Sequence, residues 1–171
     1  ATDKSWKFTS SNTSHYGGWH NSNFGGDFID DSGRNIKWTQ DSNNENFWAN
    51  VDEVKFDLKI SSDFIEPNRA AKKRSAIGVK KLADGKYQFT MDKIYTGWIE
   101  ASLMGKPGQE IRISASSWPN KEEEFNQRNT VVLDESGKTI FCNRFTYHQM
   151  EYITISGIDY QPELADIRGY Q

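Results

Sequence analysis

The sequence predicts an all-β fold, and more narrowly an antiparallel β-sandwich of the jelly-roll type that spans residues 1–171 as one domain. Three observations favour this fold. Short stretches alternate between apolar and polar residues, as in strands with one buried face. Gly, Ser, Asn and Asp separate these stretches at close intervals. Apolar residues nowhere keep the helical period for more than about two turns.

The first half of the chain contains short strand candidates set among loop-forming residues. These are Trp6–Phe8, Phe28–Ile29 and Ile36–Trp38, and the clearest alternation runs from Val54 to Ile60. The run at residues 69–81 mixes Lys and Arg with small residues, which predicts a solvated connection.

The second half carries more clearly marked strands and turns. The strand candidates are Tyr87–Met91, Ile99–Leu103, Ile111–Ile113 and Val131–Leu133. Gly105–Gly108 and Asp134–Gly137 have the composition of tight turns, so each predicts a hairpin.

The stretch from Phe141 to Gly157 predicts further two-faced strand. Its alternation assigns Phe145, Tyr147 and Gln149 to one face, and Arg144, Thr146 and His148 to the other. Cys142 is expected to be a small buried thiol, and a single cysteine excludes an internal disulfide.

The order of residues along these strands resembles that of one protein family. The matching pieces are Gly97-Trp98, the Gly-x-Pro-Gly turn at 105–108, Ile111-x-Ile113, Arg144-Phe-Thr-Tyr-His148 and an aliphatic strand ending at Gly157. Together they resemble the concanavalin-like β-sandwich module of bacterial α-L-rhamnosidases, whose sugar-binding members form carbohydrate-binding module family 67. The resemblance is good over residues 87–157, and weaker but in order over residues 15–82.

Composition narrows the possible partners. The net charge of −3 and the lack of a basic stripe argue against nucleic acid, which needs phosphate neutralisation. No apolar run is long enough to span a membrane. Aromatic residues make up 13% of a polar chain, which favours the display of some rings for recognition. The chain starts at Ala1, and we expect a secreted or periplasmic protein whose signal peptide lies outside this sequence.

An acidic, glycine-rich stretch near the N-terminus is a candidate metal site. Asp27, Asp30 and Asp31 offer the oxygen ligands that Ca²⁺ prefers, although their spacing matches no dedicated calcium loop. Because of this spacing, the sequence favours acidic turn residues over a metal site. No other cofactor is assigned, and a bound Ca²⁺ is expected to be structural.

The resemblance adds a comparison at this stretch. Phe24–Asp30 and Arg34 resemble the family's aromatic-Asp-Gly-Glu-x-Tyr-Asp-x-Arg segment. The family's first Asp, associated with its Ca²⁺ and rhamnose site, falls at Gly25, and an Asn that usually precedes its Gly-Trp falls at Ile94. These two departures argue against a Ca²⁺-dependent rhamnose site of the family's form.

A long polar loop after residue 115 is the best candidate for sugar binding. Trp118 opens it, and Asn120, Asn126 and Arg128 can supply hydrogen bonds to hydroxyl groups. Trp118 either stacks on a sugar or caps the core, and Glu122–Glu124 is expected to be a solvated run. Further ligand-binding candidates are Trp19, Trp38 and Arg34.

Arg144, Tyr147 and His148 are the residue types of a polysaccharide lyase, with a cation for the uronate and a base for the α-proton. The alternation places Tyr147 on the face opposite the other two, which opposes this interpretation, and in the family that it resembles the segment is structural. No residue is therefore assigned a catalytic role.

The sequence thus favours a non-catalytic carbohydrate-binding module for a plant or algal cell-wall glycan, L-rhamnose-containing if the family's site survives in altered form. It would act as a monomer or as part of a multidomain enzyme, without nucleic-acid or membrane partners. Two alternatives stay open: a purely structural accessory β-sandwich of a glycoside hydrolase, and a compact polysaccharide lyase or hydrolase.

Overall fold

A computed structural model of the chain describes residues 3–18, 20, 22–33, 48–55, 57, 59, 61–67 and 69–171. The chain divides into two compact units, Ala1–Ser11 with Asn35–Arg69 and Asn12–Arg34 with Ala70–Gln171. The strands of the described residues are β1 (Lys7–Phe8), β2 (Thr13–His15), β3 (Asp27–Asp30), β4 (Ala49–Asn50), β5 (Lys73–Lys81), β6 (Tyr87–Met104), β7 (Glu110–Ser116), β8 (Arg128–Val132), β9 (Lys138–Cys142), β10 (His148–Ser156) and β11 (Ile167–Tyr170).

The first unit contains the short antiparallel pair of β1 and β4, in which Phe8 lies opposite Ala49. The predicted strand at Val54–Ile60 is not formed by residues 54, 55, 57 and 59, which the structure describes. Val54 is 62% exposed, so the apolar side of this alternating stretch is not buried at residue 54. The predicted strand at Ile36–Trp38 lies outside the described residues.

The second unit is a β-sandwich formed by a sheet that curls over, as the sequence predicts. The larger layer has the strand order β5-β6-β10-β7-β8-β3-β2. The other layer consists of β11 and β9 on either side of the second half of β6, with the start of β5 beyond β11. All these pairs are antiparallel except β3 and β8, which run parallel with Phe28 opposite Thr130.

Strand β6 joins the two layers because it belongs to both. Its first half pairs with β10, where Phe89 lies opposite Ile153, and its second half pairs with β11, where Ala101 lies opposite Ile167. Apolar side chains from both layers fill the space between them. The largest fully buried ones are Phe89, Phe141, Met91, Ile99, Ile111, Ile113, Leu133, Met150, Ile153, Ile155 and Ile167.

Both predicted turns exist, but neither makes a hairpin. The Gly137 N–H donates to the Asp134 carbonyl oxygen at 3.1 Å, and the Gln109 N–H donates to the Lys106 carbonyl oxygen at 3.0 Å. The 105–108 turn leads from β6 to β7, and the 134–137 turn leads from β8 to β9. The strands that they join pair with other strands, because each turn carries the chain from one layer to the other.

Two other predictions are wrong. The basic run at 69–81 is largely strand β5 rather than a solvated connection, and Arg74 within it is buried against Asp92 at 3.3 Å. Residues 143–147, predicted as strand, form the loop between β9 and β10. Among the described residues, none of the helical segments has the length and apolar character of a membrane span.

Candidate binding rim

Three loops meet at one end of the larger layer, and we call their described residues the rim, namely 16–18, 20, 22–26, 117–127 and 143–147. Because β3 and β8 run parallel, the loops that precede them lie at the same end of the sheet. Strand β10 is antiparallel to β7, so its start lies beside the end of β7. The loops are joined directly: the Phe24 N–H donates to the Phe125 carbonyl oxygen at 2.9 Å.

A fully buried carboxylate, Asp27, connects the rim to the sheet. Its Oδ2 accepts the backbone N–H of Arg144 at 2.9 Å, and its Oδ1 lies 3.2 Å from His15 Nδ1. The Asp27 N–H donates to Asn129 Oδ1 at 3.0 Å. Burying a carboxylate is costly unless hydrogen-bond donors surround it. Asp27 therefore holds β2, β3, β8 and the β9–β10 loop together.

A second part of this buried network fixes the β9–β10 loop. Asn143 Oδ1 accepts the Ile99 N–H at 2.9 Å, while Asn143 Nδ2 donates to Thr146 Oγ1 at 3.1 Å and to Asn129 Oδ1 at 2.9 Å. These side chains are buried, so the loop is attached from beneath by side chains that do not face solvent.

His148 ends the loop and is also buried, with 1% of its surface exposed. Its Nε2 lies 3.0 Å from Asn129 Nδ2, and its Nδ1 has no hydrogen-bond partner in the described part of the chain. Burial lowers the pKa of His148 to about 4, with the Asp27 carboxylate acting in the opposite direction. The imidazole is therefore neutral at pH 7.

This placement removes the set that suggested a lyase. His148 is enclosed in the network, whereas Arg144 is exposed and Tyr147 is 51% exposed. The predicted alternation fails at Arg144, which is exposed while His148 is buried, because residues 143–147 are a loop. A base that is buried in this way cannot reach a sugar at the surface.

Trp118 is 62% exposed at the rim, so it does not cap the core. Its backbone is fixed on both sides: its N–H donates to Ser116 Oγ at 3.0 Å, and its carbonyl oxygen accepts the Lys121 N–H at 3.2 Å. Glu124, expected in a solvated run, is instead buried and accepts the Ser117 N–H at 3.1 Å. Asn120, two residues after Trp118, is exposed.

Asn126 and Arg128 contact the β2–β3 loop. Asn126 Nδ2 donates to Asn23 Oδ1 at 2.6 Å, and the Arg128 guanidinium lies 5.1 Å from the centre of the Tyr16 ring. Both residues therefore help to hold two rim loops together, and they lie at the opposite end of the 117–127 loop from Trp118.

Sequence reasoning missed the other exposed aromatic side chains of the rim. Phe24 and Phe125, which are 37% and 46% exposed, pack edge to face with ring centres 5.7 Å apart. Phe145 is 67% exposed and meets the His15 ring at 5.4 Å. The only signal in the sequence is an apolar residue within a polar loop, which does not separate a displayed ring from a buried one.

The three candidate metal ligands are engaged separately. Asp27 belongs to the buried network, Asp30 Oδ1 accepts the Ser32 N–H at 3.0 Å, and Asp31 Oδ1 accepts Asn12 Nδ2 at 2.7 Å. In the part of the chain that the structure describes, no three His, Cys, Asp or Glu side chains are grouped as a metal site. Trp19, Arg34 and Trp38 lie outside the described residues.

Gly25, where the family's Asp would fall, cannot take a side chain in this backbone. Its φ is +72°, and a Cβ would lie 1.8 Å from the Tyr16 carbonyl oxygen. Ile94, where the family's Asn would fall, is 45% exposed on β6. Of the two positions that differ from the family, residue 25 therefore lies against the backbone, and residue 94 is an apolar residue at the surface.

Solved structures of α-L-rhamnosidases contain the same fold. The enzyme from Dictyoglumus thermophilum matches with a TM-score of 0.80 and 24% identity over 99% of this chain and 20% of that one. The Aspergillus terreus enzyme matches with a TM-score of 0.74 and 18% identity over 99% and 20%. The Streptomyces avermitilis enzyme, complexed with L-rhamnose, matches with a TM-score of 0.74 and 20% identity over 86% and 15%.

The chain therefore spans about a fifth of the length of the first two of these rhamnosidases. No curated protein matches it. The sequence model of one family, described as the bacterial alpha-L-rhamnosidase concanavalin-like domain, matches residues 80–171, which is more than half of the chain. The chain belongs to this family of concanavalin-like domains of bacterial α-L-rhamnosidases.

Proposed function

We propose that this chain is a non-catalytic carbohydrate-binding module whose rim holds a glycan. The observation that carries the proposal is the exposure of Trp118, 62% of whose surface faces solvent on a loop with a fixed backbone. An indole presents a flat apolar face, which suits the C–H face of a pyranose ring.

The rim is suited to binding because buried side chains of the protein itself fix its backbone. Buried Glu124 holds the Ser117 backbone, and buried Asp27 holds the Arg144 backbone. A ligand that meets a fixed surface loses less free energy to the ordering of loops than one that must order them. Asn120 beside Trp118 is exposed and can donate to and accept from sugar hydroxyls.

Two further observations support a role in binding rather than catalysis. The chain spans about a fifth of the length of the rhamnosidases that it resembles, and the buried His148 is out of reach of a substrate. A plant or algal cell-wall glycan is the proposed ligand. L-rhamnose is one candidate sugar, because the Streptomyces avermitilis protein was solved with it. Gly25 argues that any rhamnose site here differs from the family's Ca²⁺-dependent form.

Affinity electrophoresis against neutral and acidic cell-wall glycans tests the proposal. We expect at least one glycan to retard the protein, and we expect no release of reducing or unsaturated ends from that glycan on long incubation. Turnover would show an enzyme instead. If no glycan retards the protein, the chain is a structural accessory domain.

A further inference from the structure

The outer face of the β9–β10 loop carries a second group of exposed side chains. Arg144 and Phe145 are exposed, the latter by 67%, and Tyr147 is 51% exposed. His15, whose side chain is 48% exposed, packs its ring edge against Phe145 at 5.4 Å. The loop thus presents two exposed aromatic rings and one exposed cation.

The charge of Arg144 is not explained by a contact with the described part of the protein. Its backbone N–H is bound to Asp27, but its guanidinium forms no hydrogen bond or salt bridge with any residue that the structure describes. Arg74 and Arg168, by contrast, are paired with Asp92 and Glu100 at 3.3 and 3.2 Å. Arg144 is also the only charged residue within the loop, residues 143–147.

The loop is held firmly by polar groups that are costly to bury. Asp27, Asn129, Asn143, Thr146 and His148 are all at most 6% exposed, and their hydrogen bonds end on the backbone or side chains of this loop and its neighbours. An apolar core would hold a surface loop without the desolvation cost of a carboxylate and two amides. The hydrogen bonds among these side chains fix the position of the loop that lies above them.

We propose that the outer face of the β9–β10 loop is a subsite for a uronic acid residue of the glycan. The Arg144 guanidinium would bind the uronate carboxylate through two parallel N–H donors, a geometry that suits a planar carboxylate. The Phe145 ring would lie against the apolar face of the same or the neighbouring sugar. This inference rests on the proposed function and names the ligand class of the rim.

The ligand test uses three polyuronates, namely polygalacturonate, alginate and glucuronan, with isothermal calorimetry on the intact chain. The matched ligand for each is its methyl ester, which keeps the backbone and removes the charge. We expect at least one polyuronate to bind about tenfold more tightly than its ester, the size of one charge-assisted contact. Dextran sulfate is the control for charge alone.

The protein test compares Arg144→Gln with Arg112→Gln, the same change at a partly exposed residue on β7. We expect Arg144→Gln to bring the affinity for the polyuronate down to that for the ester, and Arg112→Gln to change neither. Arg144→Lys, which keeps the charge and loses the paired donors, should fall between them. Melting temperatures of all variants should match that of the wild type.

Four outcomes would overturn the inference. In the first, neutral glycans bind and no polyuronate does, so the proposed function stands alone. In the second, nothing binds, and both fail. In the third, dextran sulfate binds as tightly as the polyuronate and with the same dependence on Arg144, so the site recognises negative charge and is not specific for a carboxylate. In the fourth, Arg144→Gln lowers the melting temperature and leaves affinity unchanged, so the guanidinium only balances Asp27.

Discussion

Gly25 packs its α-carbon so closely against the carbonyl oxygen of Tyr16 that a Cβ at residue 25 would stand 1.8 Å from that oxygen. The same contact brings the start and the end of the β2–β3 loop together, because the Tyr16 N–H donates to the Gly26 carbonyl oxygen at 2.8 Å. Glycine is required here for its conformation, with φ at +72°, and for its lack of a side chain. This contact closes the loop that carries Asn23 and Phe24 to the rim.

Gly25→Ala should therefore destabilise the protein strongly. Gly108 supplies a matched control, since its φ is +73° and nothing lies within 4 Å of an added Cβ. Gly108→Ala should cost about 1 kcal/mol, the strain of a left-handed backbone alone. Gly25→Ala should cost at least about 2 kcal/mol more, because the backbone must move. Urea unfolding of both variants measures the difference.

Equal losses for the two variants would show that Tyr16 can move away at little cost. In that case the contact would not explain why Gly25 stands where the family has an acidic residue. Gly25→Asp would then be the variant to examine for a gain of Ca²⁺ binding.

Much of the sandwich could be predicted because its strands alternate locally. Ile111, Ile113, Ile153 and Ile155 were placed in strands from the sequence, and the structure buries all four. What the sequence could not supply was the choice of partner. The Gly105–Gly108 turn looks like a hairpin, yet the second half of β6, which precedes it, lies in the other layer from β7. Pairing between strands that are distant in the chain leaves no local trace in the sequence.

The candidate site divides in the same way. Trp118 was singled out from its place at the start of a polar loop, which is a local signal, but the sequence left open whether it stacks on a sugar or caps the core. Its exposure in the structure excludes the core cap. The network beneath the rim was missed because Asp27 and Asn143 are 116 positions apart in the chain. Asp27 instead looked like a metal ligand, since a sequence shows a carboxylate but not the donors that will surround it.

His148 predicts a specific dependence of stability on pH. Its pKa is lowered from 6.5 to about 4 in the folded protein, so between these values the unfolded chain binds a proton that the folded one does not. The free energy of unfolding is therefore highest above pH 6.5. It falls as the pH falls towards 4, by about 3 kcal/mol in total. Urea unfolding at several pH values between 4 and 7.5 measures this slope.

The slope should decrease in His148→Gln, whatever that variant's stability at neutral pH. His20→Gln changes an exposed histidine and should keep the wild-type slope. A wild-type slope in both variants would assign the acid sensitivity to carboxylates elsewhere in the chain.

Removal of divalent metal should leave the melting temperature unchanged. Asp27, Asp30 and Asp31 already accept hydrogen bonds from separate protein donors, so none of them needs a cation to offset its burial. Thermal melts in EDTA and in added CaCl₂ provide the measurement, because an ion that binds only the folded state raises the midpoint. A lower midpoint in EDTA would support a structural Ca²⁺ at this stretch.

Trp118→Ala should separate binding from stability. Since the indole is 62% exposed, its loss should hardly move the melting temperature, unlike the loss of a core tryptophan, which costs about 3–5 kcal/mol. Binding of a retarding glycan should weaken by roughly 1–3 kcal/mol, by analogy with bases on aromatic platforms. That corresponds to about a tenfold to hundredfold loss of affinity in calorimetry.

Trp6→Ala is the matched control, because Trp6 is 55% exposed in the other compact unit. We expect it to leave both the affinity and the melting temperature unchanged. If Trp118→Ala also binds the glycan at full strength, the indole is not the sugar platform. The glycan must then lie on other rim residues, of which the exposed Phe125 and Phe145 are the next to be replaced.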